Sequence, residues 1–391
     1  MAGEPGLAFV PEGCPIVCAS TGAATLPSEV MAIAWTTSLD VEVPQESWAH
    51  VAALADGRVL VVVSGDPKGL LAEAGQSKMI VLSPAGQVST VSKLGFGLVF
   101  DVAVGHAGEL YLLASKGATQ DLVVVNEIGE VAAIAPLGVH DHDRYPVMVA
   151  TDEGVAAVYN SIDDPLVGTL SRMSPELEPI GTHEVPLTWE IDVTPEGALV
   201  LANLTSASWY DPEGQPLGQQ GLADAWTLLG LVVLDEDRVV TAGGTLDDEQ
   251  AQLSPRGMLV GVERSAGPTW SALHDRADTW CAAAQGVSEI ESRTDEMYVA
   301  LERFADGRLL AGGFETIGYP FANTIHDELQ PLVELIDVGE EGIEVLARDR
   351  GLWQGKVESL AVADQSAYAL FSEQTPSGTR LHVRKYAISG E

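Results

Sequence analysis

Apolar residues in this chain come in short bursts closed at both ends by turn formers. Val59-Leu60-Val61-Val62-Val63 is entered through Ala55-Asp56-Gly57-Arg58 and left through Ser64-Gly65. A burst of that length between such residues is a strand reached through a tight turn, because a helix needs more residues and a 3.6-residue period. The phrase returns as Phe304-Ala305-Asp306-Gly307-Arg308, followed by an apolar run to Gly313, and residues 237–244 carry a partial third copy.

Around these phrases the chain divides into units of four strands. In the first, residues 48–54 are an inner strand, residues 58–64 and 78–82 the second and third, and Ser83-Pro84-Ala85-Gly86 turns into a fourth over 88–94. The second unit has strands at 99–104, 109–113, 122–125 and 130–135, with Asn126-Glu127-Ile128-Gly129 as its outer turn. Matching outer turns fall at Ser174-Pro175-Glu176, Asp211-Pro212-Glu213-Gly214, Ser254-Pro255-Arg256-Gly257 and Gly339-Glu340-Glu341-Gly342. The seventh unit, with strands at 357–362, 367–371 and 381–388, lacks an outer strand, whereas residues 29–35 form a strand without a unit. An unpaired edge would expose a row of amides and carbonyls, so the two are expected to pair and close a ring. The predicted fold is all-β: a seven-bladed β-propeller of four-stranded antiparallel blades, with the N-terminal strand completing the last blade. Residues 1–27 read as an irregular arm and 28–391 as one propeller domain; the stretch 271–294 reads as an insertion that includes a helical turn.

The repeated phrase, an apolar strand and then a Ser-Pro-x-Gly turn, resembles bacterial delta-sixty and kelch-like propeller repeats. The copies at 55–65 and 305–313 carry the likeness, with 237–244 as a partial third. The resemblance implies a propeller, often exported, and no particular activity.

Charge changes the picture of partners. Asp and Glu number 57 against 20 Lys and Arg, for a formal net charge of −37 over 391 residues. Without clustered Lys and Arg, phosphate neutralisation is ruled out, and so are nucleic acid and anionic membranes as partners. The balance suits solubility in a salty, extracellular or periplasmic setting; its functional counterpart is attraction of cations or a basic partner. No apolar run is long enough to span a membrane, and no leader opens the sequence as it stands, so export would require one already removed. Cys14, Cys18 and Cys281 lack zinc-knuckle spacing, and in an exported protein two of them could form a disulfide.

Aligning the units on the Asp-Gly turn puts His50, Asp101, Val147, Glu190, Gly230, Ala300 and Ser359 in one column of the inner strands, with Asp192 and Glu302 two residues deeper. Bulky Phe100, Pro146 and Trp189 stand one step nearer the channel entrance, where Trp48 and Tyr145 also fall. Two readings compete for the polar column. Its members pair with backbone around a water-filled channel, as buried polar groups must, or they bind a small ligand or a divalent cation such as calcium. His140-Asp141-His142-Asp143 precedes the third inner strand, and His140, His142 and Asp143 are its candidate metal ligands beside the reading as a solvated loop. Asp101 with Glu190 could serve a glycosidase as acid and nucleophile or base, the choice set by the separation of the two carboxylates. Trp209-Tyr210, Trp270 and Trp280 are candidates for an exposed contact face. There is no Gly-x-Ser-x-Gly elbow and no phosphate-cradling glycine loop. The expected protein is an exported, monomeric, non-catalytic module binding a protein or small molecule. The alternative is a metal-dependent hydrolase or lyase with its site at the channel mouth.

Overall fold

A computed structural model describes residues 16–20, 30–43, 48–65, 77–116, 119–139, 145–160, 164, 166–222, 227–246, 255–273, 279–283, 290–292, 296–321, 324–339, 342–351, 354–375 and 378–389. Its main body is seven four-stranded antiparallel sheets in sequence order. Two strands precede the first blade in the chain, β1 (Ile16–Ser20) and β2 (Met31–Val43). Blade 1 is β3 (Ala49–Ala53), β4 (Val59–Val63), β5 (Lys78–Leu82) and β6 (Val88–Lys93). Blade 2 is β7 (Leu98–Val104), β8 (Leu110–Lys116), β9 (Thr119–Val125) and β10 (Val131–Val139). Blade 3 is β11 (Val147–Thr151), β12 (Gly154–Asn160), β13 (Val167–Met173) and β14 (Pro179–Pro186). Blade 4 is β15 (Glu190–Val193), β16 (Leu199–Ala202), β17 (Ser206–Tyr210) and β18 (Pro216–Gly221). Blade 5 is β19 (Thr227–Val233), β20 (Arg238–Leu246), β21 (Pro255–Glu263) and β22 (Gly267–Leu273). An insertion then supplies β23 (Thr279–Ala283) and β24 (Ile290–Ser292). Blade 6 is β25 (Glu296–Arg303), β26 (Leu309–Phe321), β27 (Thr324–Val338) and β28 (Ile343–Arg350). Blade 7 joins β29 (Gly355–Ala363), β30 (Ser366–Thr375) and β31 (Gly378–Ile388) to β2.

Burial follows position in the blade. Every residue of β4 is buried, whereas the outer strand β6 alternates between exposed and half-buried. A middle strand is covered on both faces by neighbouring blades, so it reads as a continuous apolar run, and this is the source of the bursts along the sequence. The core is divided accordingly. Seven apolar clusters form, one in each seam between successive blades, including Val51, Val61 and Ile80 of blade 1 against Tyr368, Leu370 and Val383 of blade 7.

The ring closes as the orphan strand predicts. β2 runs antiparallel to β31 from Met31 opposite Ile388 to Leu39 opposite Leu381, and the Ser389 amide bonds to the Val30 carbonyl at 2.9 Å. The closing strand continues to Val43, well beyond the expected residue 35. Neighbouring blades are also pinned at their outer turns. Gly86 adopts φ +81° under the Trp35 ring of β2, and Trp35 Nε1 donates to the Pro84 carbonyl at 3.0 Å.

Three expectations change. Among the described residues no helix forms, and the insertion contributes β23 and β24 to a separate three-stranded sheet with β1. β1 lies within the stretch read as an irregular arm. Trp209 is not an exposed contact residue: it is fully buried in the seam between blades 4 and 5, and Tyr210 is only 8 % exposed. Each occupies a third strand, where both faces are covered. Trp270 packs partly buried in the next seam, and the Trp280 side chain lies outside the described residues.

Antiparallel meandering puts the blade-to-blade connections and the turns between second and third strands on one face of the ring. The Asp-Gly turns and the outer turns share the other face. The first face carries the elaboration. It holds the three-stranded sheet, and there β26 and β27 reach 13 and 15 residues against 5 each in β4 and β5. Strands β23 and β24 lie beside β26.

Candidate functional site: the mouth and lining of the central channel

The inner strands place the polar column as the spacing implies. His50, Asp101, Val147, Glu190, Gly230, Ala300 and Ser359 stand at one tier, opposite Val62, Leu113, Val158, Ala202, Ala242, Gly312 and Leu370. Asp192 and Glu302 occupy a tier nearer the Asp-Gly turns, opposite Val200 and Leu310.

Most of the column staples one inner strand to the next. Ser359 Oγ of blade 7 accepts the Val51 amide of blade 1 at 3.2 Å. His50 Nε2 meets the Val99 carbonyl of blade 2 at 3.2 Å. Asp101 accepts the Met148 amide of blade 3 at 2.9 Å and the Val102 amide at 2.8 Å. Asp192 repeats the arrangement two blades on, accepting Val233 at 2.7 Å and Val193 at 2.8 Å. Arg303 Nη1 of blade 6 donates to the Val233 carbonyl at 3.1 Å, so Val233 is held from both sides. Inner-strand backbone that splays around a channel cannot pair with the neighbouring sheet, and these side chains supply the partners.

Glu190 and Glu302 differ. No hydrogen bond to either carboxylate is present among the described residues. Each is half-buried, touched by channel solvent yet surrounded by protein. Desolvation, then the charges of Asp101 and Asp192, pushes both up to about 8. Desolvation also raises Asp101 and Asp192, to about 6, against the pull of their backbone amides. His50 is driven down to about 4 by burial, so it is neutral at physiological pH. At neutral pH the lining thus combines protonated Glu190 and Glu302 with largely ionised Asp101 and Asp192.

The entrance beside blades 1 to 3 is aromatic. Trp48 and Tyr145 approach to 4.3 Å between ring centroids at 63°, and Phe100 meets Trp48 edge-on at 5.9 Å. Trp48 lies 6.3 Å from the His50 ring. Trp48 and Tyr145 are half-buried, whereas Phe100 is 4 % exposed beneath them. Trp189 does not join this group; it packs against the core between blades 4 and 5. Of the sequence-predicted site residues, Trp48, His50, Asp101 and Tyr145 gather on one side, and Ser359 stands beside blade 1. Glu190 reaches the Asp101 carboxylate through its field across the channel.

His140, His142 and Asp143 lie outside the described residues. Among the described residues no three His, Cys, Asp or Glu groups come together as a metal centre would require. A cavity of about 260 Å³ between blades 5 and 6, lined by Leu234, Arg238, Trp270 and Gly339, opens on the opposite face, away from the column. Arg303 went unread in the sequence. Its signal was its place directly after Glu302, before the second copy of the turn phrase.

No protein-family model matches the chain, and no curated protein matches it in sequence. Solved structures do. The WD40 domain of Neurospora crassa Pan2 superposes with a TM-score of 0.55 at 9 % identity, covering 94 % of this chain and 98 % of that one. The Dos1 propeller gives 0.44 at 9 % identity over 90 % and 96 % of the two chains. A Bacteroides caccae protein of unknown function gives 0.41 at 14 % identity over 71 % and 91 %. At 9 % identity the likeness to the Pan2 domain carries the fold alone. The chain is a seven-bladed β-propeller, closed by its own N-terminal strand.

Proposed function

We propose that this propeller is a non-catalytic binding module that takes its ligand or protein partner on the face holding the channel mouth. One observation carries the reading: elaboration and aromatic surface coincide there. The three-stranded sheet, the extended β26–β27 hairpin and the Trp48–Phe100–Tyr145 cluster share that face, while tight turns close the other. Binding surfaces concentrate on variable loops carried by a rigid scaffold, and amphipathic aromatic rings give contact area at small entropic cost. The acidic balance and the likeness to exported delta-sixty and kelch-like repeats support a monomer in an extracellular or periplasmic setting.

A metal-dependent hydrolase or lyase is the second reading, favoured by the raised Glu190, a proton donor near neutrality. Against it, Asp101 commits its oxygens to two backbone amides and is poorly placed to act as a nucleophile.

Immobilised protein and a Trp48→Ala/Tyr145→Ala variant, both checked for folding, would be exposed to medium conditioned by the source cells. Retained material is identified by mass spectrometry and mapped by hydrogen exchange. Retention weakened at least about tenfold in the variant, a loss of ~1.4 kcal/mol, with protection at residues 48–50, 98–101 and 145–148, supports the reading. Protection confined to turns 54–57, 83–86 and 304–307 overturns it. Turnover of a bound molecule that Glu190→Gln abolishes would favour the enzyme.

A further inference from the structure

Among the described residues, the N-terminal segment meets the insertion between blades 5 and 6 in the small sheet β1–β23–β24. Its ladder sets Ile16 opposite Ala283, Val17 opposite Ala282, Cys18 opposite Cys281, Ala19 opposite Trp280 and Ser20 opposite Thr279. Two of the three cysteines in the chain therefore form the central pair of a five-residue antiparallel ladder, although they are far apart in sequence. Directly opposed residues of an antiparallel pair have Cα atoms about 4.5–5.5 Å apart. Disulfides span Cα separations of about 4.4–6.8 Å.

We propose that Cys18 and Cys281 are a disulfide site, and that Cys14 is the thiol left over. The oxidant is a disulfide of the small-molecule or protein class. One cysteine thiolate attacks it and expels one thiol. The second thiolate attacks the mixed disulfide, expelling the other thiol and forming the Cys18–Cys281 bond. Two electrons and two protons leave the pair, and the oxidant becomes two thiols.

The position gives the bond a purpose. A three-stranded sheet of strands this short has little core of its own, and small units of that kind are commonly stapled. β1 lies shortly before β2, the strand that closes the ring, while β23 lies shortly before blade 6. A bridge there fastens the chain just ahead of its closing strand to the seventh blade's neighbour, so detachment of β2 would no longer free the N-terminal segment. The bond would persist in an oxidising compartment, which links it to the export proposed above. Its formation can be tested without reference to that compartment or to any ligand.

Purified full-length protein would be equilibrated in a redox buffer of reduced and oxidised glutathione set to the poise of an oxidising compartment, alkylated, digested without reductant and analysed by mass spectrometry. The expected result is a peptide pair joining Cys18 to Cys281, with Cys14 alkylated. Cys14→Ser should keep that pair, and Cys281→Ser should abolish it. Three alkylated cysteines, or a bridge that includes Cys14 in the unsubstituted protein, would overturn the proposal.

Discussion

The Asp192 carboxylate of blade 4 accepts the Val233 amide of blade 5 at 2.7 Å, two blades on from the equivalent bond between Asp101 and Met148 at 2.9 Å. Carboxylates at an inner tier here act as backbone substitutes. Each ties together two strands that no sheet ladder joins.

Removing such a staple leaves two amides facing a channel. Asp192→Ala and Asp101→Ala are each expected to destabilise the protein by about 1–3 kcal/mol, the cost of unsatisfied buried donors. The Asn variants, which keep one acceptor oxygen, should lose less. Denaturant unfolding checks this, and Ala variants as stable as the parent would show that channel water replaces the staple at no cost.

Glu190 and Glu302 set the direction of the pH response. Their folded-state values, about 8, lie above the ordinary value of 4.5, so the folded state holds more protons than the unfolded chain between those limits. Stability therefore falls as pH rises from about 4.5 to 8, and the loss is complete above that. Glu190→Gln and Glu302→Gln should flatten this slope and raise the melting temperature at pH 9, while leaving it little changed at pH 4. His50 acts in the opposite sense. Held down near 4, it lowers stability as pH falls from 6.5 towards 4. Thermal melts across pH 4–9 read both limbs, and an unchanged slope in the Gln double variant would contradict the channel assignment.

Not all ion pairs carry equal weight. Glu334 is fully buried on the side of blade 6 that faces blade 5, taking Arg348 Nε and Tyr298 OH each at 2.5 Å. Glu334→Ala strands a buried guanidinium, and about 3–5 kcal/mol of destabilisation is expected. Arg58 meets Glu127 at 2.8 Å in the open, and Arg58→Ala should leave the unfolding midpoint unchanged within error. Equal losses in the two variants would refute the distinction.

The ring was legible because each blade carries its own local signals. Apolar bursts marked strands covered on both faces, and Asp-Gly and Ser-Pro-x-Gly marked reversals. The missing outer strand of the seventh unit pointed to residues near 31 as its partner. The column was legible too, since polar residues at one register interrupt strands that are otherwise apolar. What each member does was not. Whether Asp101 binds a ligand or Met148 depends on the twist between neighbouring sheets, which no single-strand pattern encodes. Trp209 misled because a large aromatic beside a turn looks alike whether the adjoining blade covers it or leaves it bare. The sheet of β1, β23 and β24 was hidden because its strands are short and its pairing joins segments from opposite ends of the sequence.

The outer turns offer a test of closure itself. Gly86, in the outer turn of blade 1, and Gly307, in the Asp-Gly turn of blade 6, both hold positive φ, +81° and +94°, and an alanine at either must bear the left-handed conformation, at about 1–2 kcal/mol. Their surroundings differ. A Cβ at Gly307 meets nothing within 4 Å, whereas one at Gly86 would stand 2.7 Å from the Trp35 ring and 2.9 Å from Thr37 Oγ1. Both neighbours belong to β2, and both bond to the Gly86 turn, Thr37 through the Gly86 carbonyl at 2.6 Å. Gly86→Ala must therefore push the closing strand away from blade 1 and should lose about 1–3 kcal/mol more than Gly307→Ala. The location of the loss is the sharper readout. Hydrogen exchange should quicken along Met31–Val43 and its partner Gly378–Ile388 in Gly86→Ala, but not in Gly307→Ala. If the two variants exchange alike there, Trp35 does not latch the last blade to the first.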